Sequence, residues 1–186
     1  MGYGVEDRVR DELDDWLADP MLRVAFRRRS AAPADRLWQA ACRLRLEESP
    51  MLGRLIQWRI PGLARDLPFE RLFREPPFLV LDEPERALVS GLVGRIWTLR
   101  RDYPALSDGD AFRDFAEPGT ARVVIATWVT EDARGATLCT EARVQALGPQ
   151  GRIGVAAVRP LVAGFQGLIG TEALRAAVRR AEAGGG

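Results

Sequence analysis

The chain has 186 residues, 47% of them hydrophobic, and a formal charge of +1, which suits one compact domain with a full core and argues against an extended nucleic-acid surface. All 27 basic residues are Arg; Lys, His and Asn are absent. That removes imidazole bases, Ser-His-Asp and Cys-His pairs, lysine Schiff bases, a Walker lysine and histidine metal sites.

The predicted elements begin with a helix over Val5–Ala18, where Val9, Leu13, Trp16 and Leu17 make a narrow apolar stripe among acids. Residues 1–20 read as an N-terminal helical extension and residues 21–183 as a single domain. Pro20 closes the helix, and Met21–Arg28 alternates apolar and polar residues as a half-buried strand. Pro33 and Asp35 open a helix running to about Leu44, with Leu37, Ala41 and Leu44 inward and Trp38 and Cys42 beside that stripe. A second helix follows the Ser49 cap and Pro50, carries Leu52, Leu55 and Ile56, and ends at Pro61-Gly62.

Ala64–Pro77 reads as a loop holding one helical turn. Phe78–Leu81 and Arg86–Trp97 form a hairpin, and Thr98–Asp114 is a long polar connection ending in a turn at Phe112–Phe115. Ala121–Glu131 and Ala136–Leu147 are strands joined at Asp132–Gly135. In the second of them Leu138, Thr140, Ala142, Val144 and Ala146 form an apolar face, opposed by a polar face of Thr137, Cys139, Glu141, Arg143 and Gln145. The final helix, Gly151–Glu182, changes its apolar side after Gly170, since a straight helix places Leu174 roughly 180° from Phe165. A bend or break is expected there, with Pro160 and the glycines at 164, 167 and 170 as its physical reasons.

Strand, two helices, antiparallel strands and a long last helix, in that order, resemble the helix-grip superfamily of START-type and birch-pollen-allergen-like proteins. Leu92-Val93-Gly94-Arg95-Ile96-Trp97, Phe112-Arg113-Asp114-Phe115 with Glu117-Pro118-Gly119, Thr140–Val144, and Arg159-Pro160-Leu161 with Gly167-Leu168-Ile169 are similar to an uncharacterised bacterial SRPBCC-type family. The resemblance runs from about Met21 to Glu182. It implies an α+β fold in which an antiparallel sheet wraps the C-terminal helix, with a cavity between them for lipids, polyketides or other apolar molecules. No catalytic motif comes with it. Only five strands are evident, fewer than the superfamily usually has, and Thr98–Phe115 or Phe69–Phe73 are the places for more.

Candidate lining residues of that cavity are Leu55, Leu92, Trp97, Trp128, Leu138, Leu161 and Phe165, each of which is also ordinary core material. Arg95 is the candidate for holding a ligand carboxylate or phenolate, and Glu141 the weak candidate for an acid or base with a raised pKa. The bland alternative pairs the two across the exposed sheet face. Cys42 and Cys139 lack metal or redox spacing and are expected to be reduced. No cofactor, metal, nucleic acid or transmembrane segment is expected, and the acidic Glu6–Asp19 stretch is unlike a signal peptide, which points to the cytoplasm.

Three readings stay open: a noncatalytic binder or carrier of an apolar small molecule, a polyketide cyclase or dehydratase-type enzyme, and a structural or interaction protein whose cavity is filled by its own side chains. The sequence leaves the ligand and oligomeric state open.

Overall fold

A computed structural model of the chain describes residues 5–48, 51, 54, 66–98 and 103–183. The helix expected after Ser49 lies almost wholly outside the described residues, and Leu55 with it. The described elements, in order, are α1 (Val5–Trp16), β1 (Leu22–Ser30), α2 (Ala34–Cys42), the single turn α3 (Phe69–Leu72), β2 (Leu79–Asp82), β3 (Ala87–Gly94), α4 (Gly109–Asp114), β4 (Thr120–Asp132) and β5 (Gly135–Leu147). A long helix comes last as α5 (Gly148–Leu168), a π-helical stretch Ile169–Ala173, and α6 (Leu174–Ala183).

The strands form one five-stranded antiparallel sheet in the order β1-β5-β4-β3-β2. With α2 and the long C-terminal helix packed on one side, this is a helix-grip arrangement of the α+β class. Phe69–Leu72 and Gly109–Asp114, within the two segments expected to hold further strands, are both helical. The β4–β5 hairpin pairs Thr120 with Leu147 and Asp132 with Gly135, so its turn is Ala133-Arg134. Gly135 has φ +133°, and a Cβ there would lie 2.3 Å from the Ser30 carbonyl oxygen, so close approach of β1 requires glycine.

Strand alternation divides the core into two layers. Leu22, Leu88, Leu92, Val123, Ile125, Val129, Leu138 and Val144 face α2 and the C-terminal helix, on what we call the inner face. Ala87, Val89, Val93, Val124, Ala126, Trp128 and Cys139 face outward and are covered by Val9, Leu13, Trp16 and Leu17 of the α1 region and by Phe112 of α4. Burying those four side chains from the α1 region contributes roughly 6–10 kcal/mol before the entropy of ordering the helix is subtracted. The polar face of β5 is therefore not solvated as its composition suggests: Cys139, Glu141 and Arg143 are at most 2% exposed.

The long helix is continuous across Pro160, and its irregularity falls at Ile169–Ala173. A π turn takes an extra residue, turning the next segment back by roughly 100° relative to a regular helix. This returns Leu174, Ala177, Val178 and Ala181 to the side buried on the sheet and α2. Thr171 Oγ1 donates to the Gly167 carbonyl at 2.7 Å, supplying a side-chain partner to the backbone at the irregularity. No helix among the described residues is long and apolar enough to cross a membrane.

Candidate functional site

Between α2, the π-helical stretch and the inner face lies an apolar pocket with about 40 Å³ of free volume. Trp38, Ala41 and Cys42 of α2 form one wall, and Ile169, Ala173, Leu174 and Ala177 of the C-terminal helix form another. Leu88, Thr127 and Leu138, from three adjacent strands, make the floor, and Phe73 and Glu70 complete the boundary. The volume holds about two or three waters, far below the roughly 300–1,000 Å³ of established small-molecule sites. A ligand would enter only as the walls part.

The polar groups at this pocket are restrained. Arg74 grips Glu70 through Nε at 2.7 Å and also bonds both oxygens of Glu83, leaving little free charge at the boundary. Burial, and secondarily the Glu70 carboxylate, push the Cys42 thiol up to about 12, so it stays protonated and is no nucleophile. Cys42 and Cys139 are not joined in a disulfide. Thr127 Oγ1 lies 3.5 Å from Thr140 Oγ1, which itself reaches the Ala126 carbonyl at 3.1 Å.

The sequence candidates scatter around this pocket. Leu138 lies in its floor. Leu92 is on the inner face, but it pairs with Val123, four residues along β4 from Thr127, or roughly 13 Å away. Trp97 stands at that far end, closing the layer against α5, where a Cβ on Gly154 would come within 2.3 Å of the indole. Leu161 and Phe165 are on α5, with side chains that are not described, and Leu55 is outside the described residues.

Trp128 belongs to the opposite layer: it is 1% exposed beneath α1, on the outer face. Arg95 is not in a strand but exposed in the turn after Gly94, where Thr98 bonds the Arg95 carbonyl oxygen through both N and Oγ1. It does not pair with Glu141.

Glu141 is also on the outer face, turned away from the pocket and enclosed by two arginines. Arg143 Nε donates to Glu141 Oε1 at 2.7 Å, and Arg23 reaches Oε1 at 2.8 Å and Oε2 at 3.1 Å. Arg143 Nη1 continues to Asp14 Oδ1 at 2.5 Å and to the Leu17 carbonyl at 2.9 Å, taking up a backbone acceptor at the end of α1. Burial, the largest influence on Arg143, works against its charge, but the bonds to Glu141 and Asp14 prevail and raise its pKa. The network fastens α1 to the sheet and leaves Glu141 no free oxygen for proton transfer. No cluster of three or more potential metal-ligating His, Cys, Asp or Glu side chains occurs among the described residues.

Of the lining residues only Leu138 is among the sequence candidates; the signal for Trp38, Ala41 and Cys42 lay in the α2 flank, and that for Ile169, Ala173, Leu174 and Ala177 in the phase change near Leu174.

No protein-family model and no curated protein matches the sequence. Among solved structures, protein MLL2253 from Mesorhizobium loti is 14% identical, with 85% of this chain and 98% of that chain covered and a TM-score of 0.38. TTHA0849 from Thermus thermophilus is 11% identical over 89% of this chain and 100% of that one, with a TM-score of 0.33. The Zhui aromatase/cyclase from Streptomyces sp. R1128 is 17% identical over 89% and 98%, with a TM-score of 0.31. Superpositions this loose carry no argument about the site, which rests on its own geometry.

Proposed function

We propose that this protein binds an apolar small molecule, of lipid-, polyketide- or aromatic-like character, between its inner sheet face and its C-terminal helix. The observation that supports the reading is where the apolar pocket sits: its helical wall includes Ile169 and Ala173 of the π-helical stretch. A π turn has one residue more than a regular turn needs and recurs at functional sites, so this wall can yield where an ordinary helix would resist. Binding is noncatalytic in this reading. Glu141, the acid on which a cyclase or dehydratase mechanism would draw, faces α1 with both oxygens held by arginines.

Native mass spectrometry of protein purified without denaturation from its own host tests the proposal. The expected result is a bound apolar compound that is lost from Ala41→Phe, a substitution that extends a half-buried α2 residue into the pocket. A clean unliganded mass for the wild type, with no stabilisation by apolar compounds, would overturn it in favour of a core filled by its own side chains.

A further inference from the structure

The inner face of the central strands carries three hydroxyls in an otherwise apolar layer: Ser90 on β3, Thr127 on β4 and Thr140 on β5. Two of them are accounted for, since Thr140 bonds the Ala126 carbonyl and Thr127 reaches Thr140. Ser90 is not. It is 1% exposed, and its Oγ has no hydrogen-bond partner among the described residues. A buried hydroxyl without a partner is an uncompensated desolvation penalty, and native proteins keep few of them.

Ser90 pairs with Ile125, while Leu88 pairs with Thr127, which places Ser90 one diagonal step from Thr127 on the same face. Such neighbours are roughly 7–8 Å apart at the backbone, and their side chains approach more closely. Leu88 and Thr127 already belong to the pocket floor, so Ser90 is the next inner-face position of β3 beyond it. A molecule that parts the pocket walls and extends along β3 meets this hydroxyl next.

We infer that Ser90 is the polar anchor of the binding site, donating to or accepting from a hydroxyl or carbonyl oxygen on an otherwise apolar ligand, with Thr127 as the second hydroxyl within reach. This rests on the proposed binding function and narrows its ligand class to oxygenated apolar molecules. A pure hydrocarbon would fill the pocket but leave Ser90 as it stands.

The test uses p-cresol and p-xylene, two rings of nearly equal size in which a hydroxyl replaces a methyl, titrated into the full chain with dissociation constants read by NMR. Wild type should prefer p-cresol, and Ser90→Ala should weaken p-cresol about fivefold to tenfold while leaving p-xylene unchanged or slightly tighter. Ser90→Cys, which keeps the size but donates weakly, should lose most of the same preference. The unliganded Tm of Ser90→Ala should equal or exceed that of wild type, because an unpaired hydroxyl has been removed. If both probes bind and Ser90→Ala leaves their ratio unchanged, the anchor is wrong and the binding reading stands. A lower unliganded Tm would show the hydroxyl serving the fold and overturn the anchor too. If neither probe binds wild type, the binding reading fails and the anchor with it.

Discussion

The contact most open to a quantitative test joins α1 to the end of β2. The Glu12 carboxyl is pushed up from its ordinary 4.5 to about 7, first by burial and then by a hydrogen bond to Asp82 and the charge of that carboxylate. Asp15 adds to the effect and Arg8 opposes it. On the other elements under α1, the charged groups include Arg143, held to Asp14 and to Glu141, and Arg113, stacked 3.8 Å over the Trp16 ring. Glu12 Oε2 is buried without a partner among the described residues, so ionisation there is poorly compensated.

Because the folded pKa lies above the unfolded one, the stabilising contribution is complete below about pH 4.5 and is lost as the pH rises through about 7. Integrated in full, a shift of this size corresponds to about 3 kcal/mol; partial solvent access and salt reduce it to roughly 1–2 kcal/mol. That is roughly 3–6 °C in Tm for a chain of this length. Thermal unfolding followed by circular dichroism from pH 5 to 8.5 should show wild type losing this margin, while Glu12→Gln, which stays a neutral donor to Asp82, keeps it. Asp82→Asn should make the profile shallower without flattening it, because burial of Glu12 remains. An unchanged wild-type Tm across the range, or a Glu12→Gln profile of the same slope as wild type, would refute the reasoning.

Two further outcomes are expected from the buried groups. Arg143→Met leaves Glu141 with Arg23 alone and strips Asp14 and the Leu17 carbonyl of their partner, so urea unfolding should show a loss of about 3–5 kcal/mol, and the Glu141→Leu/Arg143→Met double variant should lose less than the single one. Native Cys42, its thiol held near 12 rather than the ordinary 9.0, should react with a disulfide reagent at pH 8 about a thousandfold more slowly than the urea-unfolded chain; prompt labelling of the native thiol would contradict its environment.

Local periodicity made the sheet legible. The alternation of Met21–Arg28 and Ala136–Leu147 and the turn at Asp132–Gly135 gave strands within a residue or two of those observed, and the turn even determines which faces meet. With Asp132 opposite Gly135, Val129 must face Leu138 and Trp128 must face Cys139. Grouping Trp128 with Leu138 as lining residues therefore broke a parity already present in the sequence. What no local pattern carried was the cover over the polar face. Arg143 meets Asp14 across 129 positions of chain, and the alternation of Glu141 and Arg143 with apolar neighbours reads the same whether water or a helix lies above them. The pocket eluded sequence reasoning for a related reason: Trp38, Ala41 and Cys42 become a wall only when the α2 flank is set against Ala173 and Ala177.

The two layers constrain each other through the register of the shared strands. Glu141 and Arg143 lie on β5 between inner-face residues Thr140, Ala142 and Val144, so a one-residue slip that moved Leu138 out of the pocket floor would also drive the charged pair into the inner apolar layer. The ion network under α1 thus fixes the pocket floor from behind while contributing no atom to it. Rigidity on the sheet side leaves the helical wall as the side that can give way. There the sequence places Gly164 and Gly167 before the π-helical stretch, Gly170 within it, and small residues, Ala173 and Ala177, against the pocket. A firm floor and an adaptable wall are what a site needs when its closed volume is smaller than any ligand it would hold.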